Sequence, residues 1–398
     1  MPTFKFLPLV AVLAIPGADA VLGAMDAADV NLHGFASQGW LYSHDNRVID
    51  DHSNQGGSFD FNEFAVNVTA TPIAQVRVGA QLFASTYGQF GKDRVQLDWG
   101  YGEYQVATGS DRFDLSFEAG RIKTSQGLQN DFRDLDMTRP QVFLPMSVYN
   151  AGLRDLNVAV NGAGMTTTVR PGNLGAFTLF LYGGGQNIDE QGPLADLLAN
   201  PALGIGGFDR MSIKNDVGGA LTWQTPLDGL RIKGSLKNVN GFEADVAAPL
   251  PGGPVDLRMV HYYSGIVGAD YQQGDLVVAA EFADAYGSLI TDLQGGGEVP
   301  GHLRQRGAYG TVAYRFVERW EALAGFNWYC DNGMVHDPVA SFTRGAVLAL
   351  RCDITSHWLV KAEFQRNRGT ALLDPKYAPP SGYDEYWNLL ALKTTFDF

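Results

Sequence analysis

Short and long connections take turns along this chain, and few folds need that rhythm. Thr71-Pro72-Ile73-Ala74 is tight, and the next connection runs on to about Asp93. Gly109-Ser110-Asp111 is tight, and the stretch from Thr124 is long. The pattern then repeats, tight over 170–173, 225–229, 272–275, 317–319 and 354–357, longer over 185–212, 241–256, 287–304, 332–341 and 367–385. A soluble sheet has no reason to keep such an asymmetry. A β-barrel crossing an outer membrane does, because its periplasmic turns are short and its extracellular loops longer.

Between the connections, side chains alternate with the period of a strand. Val76, Val78, Ala80, Leu82 and Ala84 share one face, against Arg77, Gly79, Gln81 and Phe83. Leu230, Ile232, Gly234 and Leu236 oppose Arg231, Lys233, Ser235 and Lys237, and Trp358, Val360, Ala362 and Phe364 oppose Lys361, Glu363 and Gln365. About 16 such strands can be counted, enough to close a wide barrel. In the middle of the chain they span 175–184, 213–224, 230–240, 257–271, 276–286 and 305–316. An even number puts both termini on the short-turn side. The last strand reads Leu390, Leu392, Thr394, Phe396 and Phe398 outward, with Lys393 and Asp397 inward. Two strands lose phase, Val95 to Glu103 and Phe117 to Arg121, so bulges are expected near Gly100 and Gly120. The expected fold is all-β: a 16-stranded antiparallel transmembrane β-barrel, one domain over 21–398.

Residues 1–20 read as a signal peptide. Lys5 precedes the apolar run 6–15, Ala18-Asp19-Ala20 suits cleavage, and a second cleavage position follows residue 24. No later run approaches the roughly 20 apolar residues of a spanning helix. The mean hydropathy of -0.09 suggests a soluble chain, but a barrel dilutes its lipid-facing residues with lumen-facing ones. A net charge of -14 argues against nucleic acid as a partner. Cys330 and Cys352 fall at opposite ends of neighbouring strands, roughly 25–35 Å apart, and are expected as unbridged thiols facing lipid or its girdle. The seven histidines lack metal-ligand spacing, and there is no GxSxG, HExxH or P-loop. Neither a cofactor nor an enzyme activity is expected. Residues 193–203, PLADLLANPAL, read equally as a short helix that caps the barrel or meets a neighbour, or as an ordinary packed loop.

The longest charged connection, 124–153, mixes both signs with apolar side chains. In and beside it lie Arg121, Lys123, Asp131, Arg133, Asp134, Asp136, Arg139, Arg154 and Asp155, interleaved with Phe132, Val142, Phe143, Leu144 and Tyr149. A disordered loop lacks such residues to bury. The segment is expected to fold into the lumen and narrow it, the alternative being a surface flap. Arg121, Lys123, Asp131, Arg133, Asp134, Asp136 and Arg139 are the candidate constriction residues. By parity the lumen wall carries Arg77, Arg231, Lys233, Lys237, Arg315, Arg351, Lys361 and Lys393, with Glu63, Glu118, Glu281, Glu321 and Glu363. If Asp131, Asp134 and Asp136 face a basic wall across a gap, a transverse field results. If they pair, they hold the loop in place.

The stretch G-R-I-K-x-x-x-G-L-x-N over 120–130 resembles the proteobacterial outer-membrane porins, as do Arg133-Asp134, Thr138-Arg139-Pro140, Leu144-Pro145-x-Ser147-x-Tyr149 and Arg154-Asp155. The resemblance implies a 16-stranded channel in the outer membrane of a Gram-negative bacterium. It further implies a homotrimer set in lipid that passes small hydrophilic solutes passively. A substrate-specific channel for an anion or small organic acid stays open beside it. So does a structural or adhesive barrel without conduction.

Overall fold

Each strand hydrogen-bonds to its sequence neighbours, and the first pairs with the last, so the sheet has no free edge. The computed structural model describes residues 30–50, 52–88, 90–92, 94–331 and 338–398. The expected signal peptide lies outside them. The strands are β1 (Val30–His44), β2 (Phe61–Ile73), β3 (Val76–Tyr87), β4 (Gln96–Gln105), β5 (Phe113–Lys123), β6 (Ala159–Val169), β7 (Ala176–Ile188) and β8 (Phe208–Gln224). The second half holds β9 (Leu230–Val246), β10 (Pro254–Gln273), β11 (Leu276–Leu293), β12 (Gly297–Val317), β13 (Trp320–Asp331), β14 (Phe342–Asp353), β15 (Trp358–Arg368) and β16 (Tyr386–Asp397). All pairs are antiparallel, and closure runs from Phe35↔Asp397 to His44↔Asn388. At the seam Gly34 and Phe398 exchange both backbone hydrogen bonds at 3.0 Å. A Cβ on Gly34 would sit 2.5 Å from the Phe398 ring, so the terminal aromatic needs glycine there.

The two faces invert the usual order of a soluble protein. Leu82, Leu236, Phe326, Leu348, Phe364, Leu392 and Phe396 are exposed on the outside. Gln81, Lys233, Lys237, Lys361, Glu363 and Lys393 are buried on the inside. An apolar exterior running round a whole barrel is stable only in lipid. Cys330 and Cys352 form no disulfide. They pair with Phe342 and Trp320 at opposite ends of the β13–β14 ladder.

The bulge expected near Gly100 is present, at Asp98, where Gln81↔Trp99 is followed by Leu82↔Leu97. Other sequence expectations are corrected. No bulge occurs at Gly120, where both ladders of β5 run without a shift. Gly120 instead takes φ +132, with its missing Cβ 2.4 Å from the Gly100 carbonyl.

The largest correction concerns β8 to β12, which are 17, 17, 20, 18 and 21 residues long. Most of the expected loop 287–304, over half of 241–256 and the two ends of 185–212 are therefore strand. The outward face of these extensions carries ion pairs rather than apolar residues: Arg210–Asp245 at 3.0 Å, Lys214–Glu243, and Arg258 with Asp292 at 2.6 Å and Glu298 at 3.0 Å. Beyond the lipid nothing demands an apolar outer face, so the alternation that marks a strand fades while the ladder continues.

Candidate functional site: a segment clamped inside the barrel

Residues 124–158 leave the top of β5, cross the interior and return to β6. They form short 3-10 turns at Asn130–Phe132, Asp136–Thr138 and Ala151–Leu153, then a one-turn helix α1 (Arg154–Asn157). Residues 154–157 close the helical turn, and β6 begins at Ala159. The Asn150 side chain caps the 3-10 turn Ala151–Leu153 by accepting from the Gly152 amide at 2.8 Å.

On one side the segment is held by charge. Asp136, fully buried, lies 2.6 Å from Lys393, 3.0 Å from Arg139 and 3.4 Å from Lys361, and accepts from Thr395 Oγ1 at 2.7 Å. Lys361 also donates to the Asp136 and Gln141 carbonyls, and Lys393 also pairs with Glu63. Glu363 accepts from the Val142 and Phe143 amides at 2.7 and 3.1 Å, and Arg351 donates to the Met137 carbonyl at 2.6 Å. The Phe143 ring packs on Phe61 and Tyr87. Burial alone would raise the Asp136 carboxyl; Lys361, Lys393 and Arg139 carry it well below the usual carboxylate range.

A second set holds the root of the segment. Arg154 bridges Asp98 at 2.7 Å and Asp134 at 3.1 Å, and stacks on Phe83 with its guanidinium 4.2 Å from the ring centre. Burial pushes Asp134 up, but Arg154, Lys123 and Arg133 bring it down to about 2. Arg121 Nε donates to the Asp98 carbonyl at 3.0 Å, and Lys123 lies over the Trp99 ring. The bulge makes Asp98 available by turning it to the same side as Trp99. Asp98 and Arg154 were not among the candidate constriction residues. The broken alternation at Asp98 was the signal for the first.

The far wall completes the hold. Lys233 meets Asp131 and Ser125, each at 2.8 Å. Glu281 accepts from the Leu128 amide at 2.6 Å and from Tyr309 at 2.7 Å, and also from Tyr149. Lys237 pairs with Asp216 at 2.9 Å and donates to the Leu156 carbonyl. Against β12 the approach is so close that a Cβ on Gly307 would fall 1.7 Å from the Ser147 carbonyl. Ser147 Oγ donates to the Ala308 carbonyl at 3.0 Å.

Asp131, Asp134 and Asp136 therefore touch basic groups directly, and the transverse field expected from charges facing across a gap is not built by these three. The wall lysines that answer Asp131 and Asp136 sit low in the barrel. Lys361 and Lys233 lie three residues into their strands, about 10 Å from the short-turn end at ~3.3 Å per residue. Below them the remaining wall candidates line an open end. Arg77 faces Glu103 at 3.8 Å, Arg231 pairs with Asp270 at 2.7 Å, and Arg315 bridges Glu321 and Asp353. Glu118 stands opposite Glu103 in the ladder. A cavity of about 340 Å³ lies here, between Arg77, Glu103, Asp114 and Thr168. Phe132 and Leu135 are the exposed apolar residues of the segment.

Above the segment a second connection also turns inward. Helix α2 (Pro193–Leu198) buries Leu194 and Ala195 against Leu156, Ile213, Val239 and Phe242. Asp155 accepts from the Leu194 amide at 3.2 Å. The tall strands thus surround a small apolar core rather than empty space.

No protein-family model matches the sequence, and no curated protein matches it. Solved structures do. OmpT, an outer membrane protein of Vibrio cholerae, superposes with a TM-score of 0.55 at 10% identity, covering 93% of this chain and 97% of that one. A further OmpT structure is a trimer form. The anion-selective porin from Comamonas acidovorans gives 0.52 at 10% identity, covering 93% and 99%. Salmonella typhi OmpF in complex with daunomycin gives 0.55 at 12% identity, covering 93% and 97%. At such identities the likeness is one of fold.

Proposed function

We propose that this chain, which has the fold of the 16-stranded outer-membrane porins, forms a water-filled channel through which small hydrophilic solutes and ions diffuse passively. It works as a homotrimer in the outer membrane of a Gram-negative bacterium, exported by the leader at 1–20, and it catalyses no reaction. Residues 124–153 act as the constriction. The observation that carries this reading is a charged segment pinned at fixed depth inside a lipid-facing barrel. A channel needs a narrowed polar passage of fixed shape, and buried pairs around Asp136 fix it.

Of the constriction residues, Asp131, Asp134, Asp136 and Arg139 set where the segment lies. Arg121 and Lys123 anchor its root. Arg77, Glu118, Arg231 and Arg315 shape the field at the periplasmic mouth. One observation favours a barrel without conduction instead: the segment reaches strands on nearly every side of the wall, from Phe61 on β2 to Lys233, Glu281, Gly307 and Lys393. Purified protein in planar bilayers separates the two. Discrete ohmic conductance steps support the channel, and a silent bilayer with correctly folded, inserted protein rejects it. A current that saturates with one solute would mark a substrate-specific channel.

A further inference from the structure

We infer that Arg133 forms a binding site for a small carboxylate on the extracellular side of the clamped segment, a reading that rests on the channel proposed above and names a class of solute for it. Every other basic residue at the clamp itself has an acidic or backbone partner of its own. Arg154 is taken by Asp98 and Asp134, Arg139 by Asp136, Lys233 by Asp131, and Lys361 and Lys393 by Asp136. Arg133 is buried to 8% exposure. Its one side-chain partner among the described residues is Asn130 Oδ1, at 3.2 Å, and it forms no ion pair there. A guanidinium has five N–H donors in a planar fork. Most of them have no protein acceptor among the described residues, and a ligand that supplies two oxygens can take two of them in parallel.

The space to hold such a ligand adjoins the side chain. Arg133 lines a cavity of about 50 Å³ between the segment and the upper wall of β10 to β13. A single water needs roughly 10–15 Å³ by the same measure, so there is room for a few waters or one small anion. The polar lining includes Gln126, Asn130, Asn157, Ser264 and Gln305, and a second basic residue, Arg306, which pairs with Asp284 at 3.5 Å; no carboxylate lines the cavity among the described residues. In a chain of net charge -14 that composition is a local departure. The acids nearest Arg133, Asp134 and Asp98, are both answered by Arg154, and Tyr149 is a neutral phenol bonded to Glu281. Amides and hydroxyls around a guanidinium with no ion-pair partner among the described residues suit a carboxylate, which takes the fork in two parallel bonds.

The test uses the intact protein and two readouts. Crystals soaked in millimolar sodium bromide should show an anomalous peak within hydrogen-bond distance of the Arg133 guanidinium, and acetate should displace it. Absence of the peak overturns the site whatever the bilayer shows. In bilayers under a tenfold salt gradient, Arg133→Gln should lower the anion-to-cation permeability ratio at least threefold, and Arg133→Lys should keep most of it. Conduction with unchanged selectivity in Arg133→Gln also overturns the inference, and leaves the channel standing. A silent bilayer with a bromide peak does the reverse. If Arg133→Gln fails to fold, bromide occupancy in the unmodified protein still decides.

Discussion

Asp136 and Asp292 both answer basic side chains of the barrel strands, at two heights of one barrel. Asp136 is wholly buried among Lys361, Lys393 and Arg139. Asp292 pairs with Arg258 on the outer face of the tall strands, where the arginine side chain is 37% exposed. The chemistry is the same and the surroundings differ. In water an ion pair gives little, because solvent screens it and the side chains lose freedom. Out of water each charge is costly alone, so the pair becomes a lock: removing one partner strands the other. Burial, then, decides which pairs hold the inner segment and which merely decorate a strand.

The sharpest way to break that contrast is Asp136→Ala. It leaves Lys361 without a side-chain counter-charge and Lys393 with Glu63 alone. A loss of about 3–5 kcal/mol is expected for breaking a buried pair, read as earlier thermal unfolding in detergent. The freed segment should also raise single-channel conductance and its noise. An unchanged unfolding temperature would remove the lock from the argument.

Next in size is Gly307→Val on the opposite wall. The added carbons meet the Ser147 carbonyl head-on, so the segment must retreat from β12. Overpacking of this kind costs about 1–3 kcal/mol. Conductance should change in the same direction as in Asp136→Ala but by less, since the charged side stays locked. A crystal structure with Ser147 unmoved would defeat the idea.

How much of this was visible in the chain itself divides along the same line. Strand count, closure and faces were legible, because lipid on one side and charge on the other enforce a strict period of two, as in Leu390 to Phe398. The partners of Lys361, Lys393 and Glu363 were not, because each meets a segment more than two hundred residues away. Nor were the tops of β8 to β12 legible. There Arg258, Asp292 and Glu298 replace apolar residues, and the rhythm that read as long loops came partly from polar strand. Arg133 and Arg139 looked alike in sequence; only the position of Asp136 separates the paired one from the unpaired one.

Acid probes the lock without mutation. Both Asp134 and Asp136 have folded values below the ordinary Asp value, Asp134 at about 2. A group depressed in this way stabilises above its unfolded pKa, about 3.9 for Asp, and the contribution is lost as pH falls through the folded value. Conductance should therefore hold steady from neutral pH to about 4. The Asp134 contact at the root should loosen as pH falls toward 2, and the Asp136 lock only below that. A transition near pH 6 would assign the hold to other groups.

The smallest effect is the one expected at Arg258→Ala, and it tests the other half of the contrast. The substitution frees Asp292, Glu298 and Asp256 of their shared cation at once. On paper that is as large a loss of charge pairing as at Asp136, three ion pairs in each case. Yet all three carboxylates keep access to water, and at physiological salt fields beyond ~8 Å are screened. The ladder beneath them also keeps its backbone bonds, from Asp256↔Asp292 through Gln273↔Leu276. Unfolding temperature and conductance should match the unmodified protein, in low salt as in high. If Arg258→Ala instead destabilised the barrel as Asp136→Ala does, the number of pairs would matter more than their burial, and the tall strands would share in holding the pore.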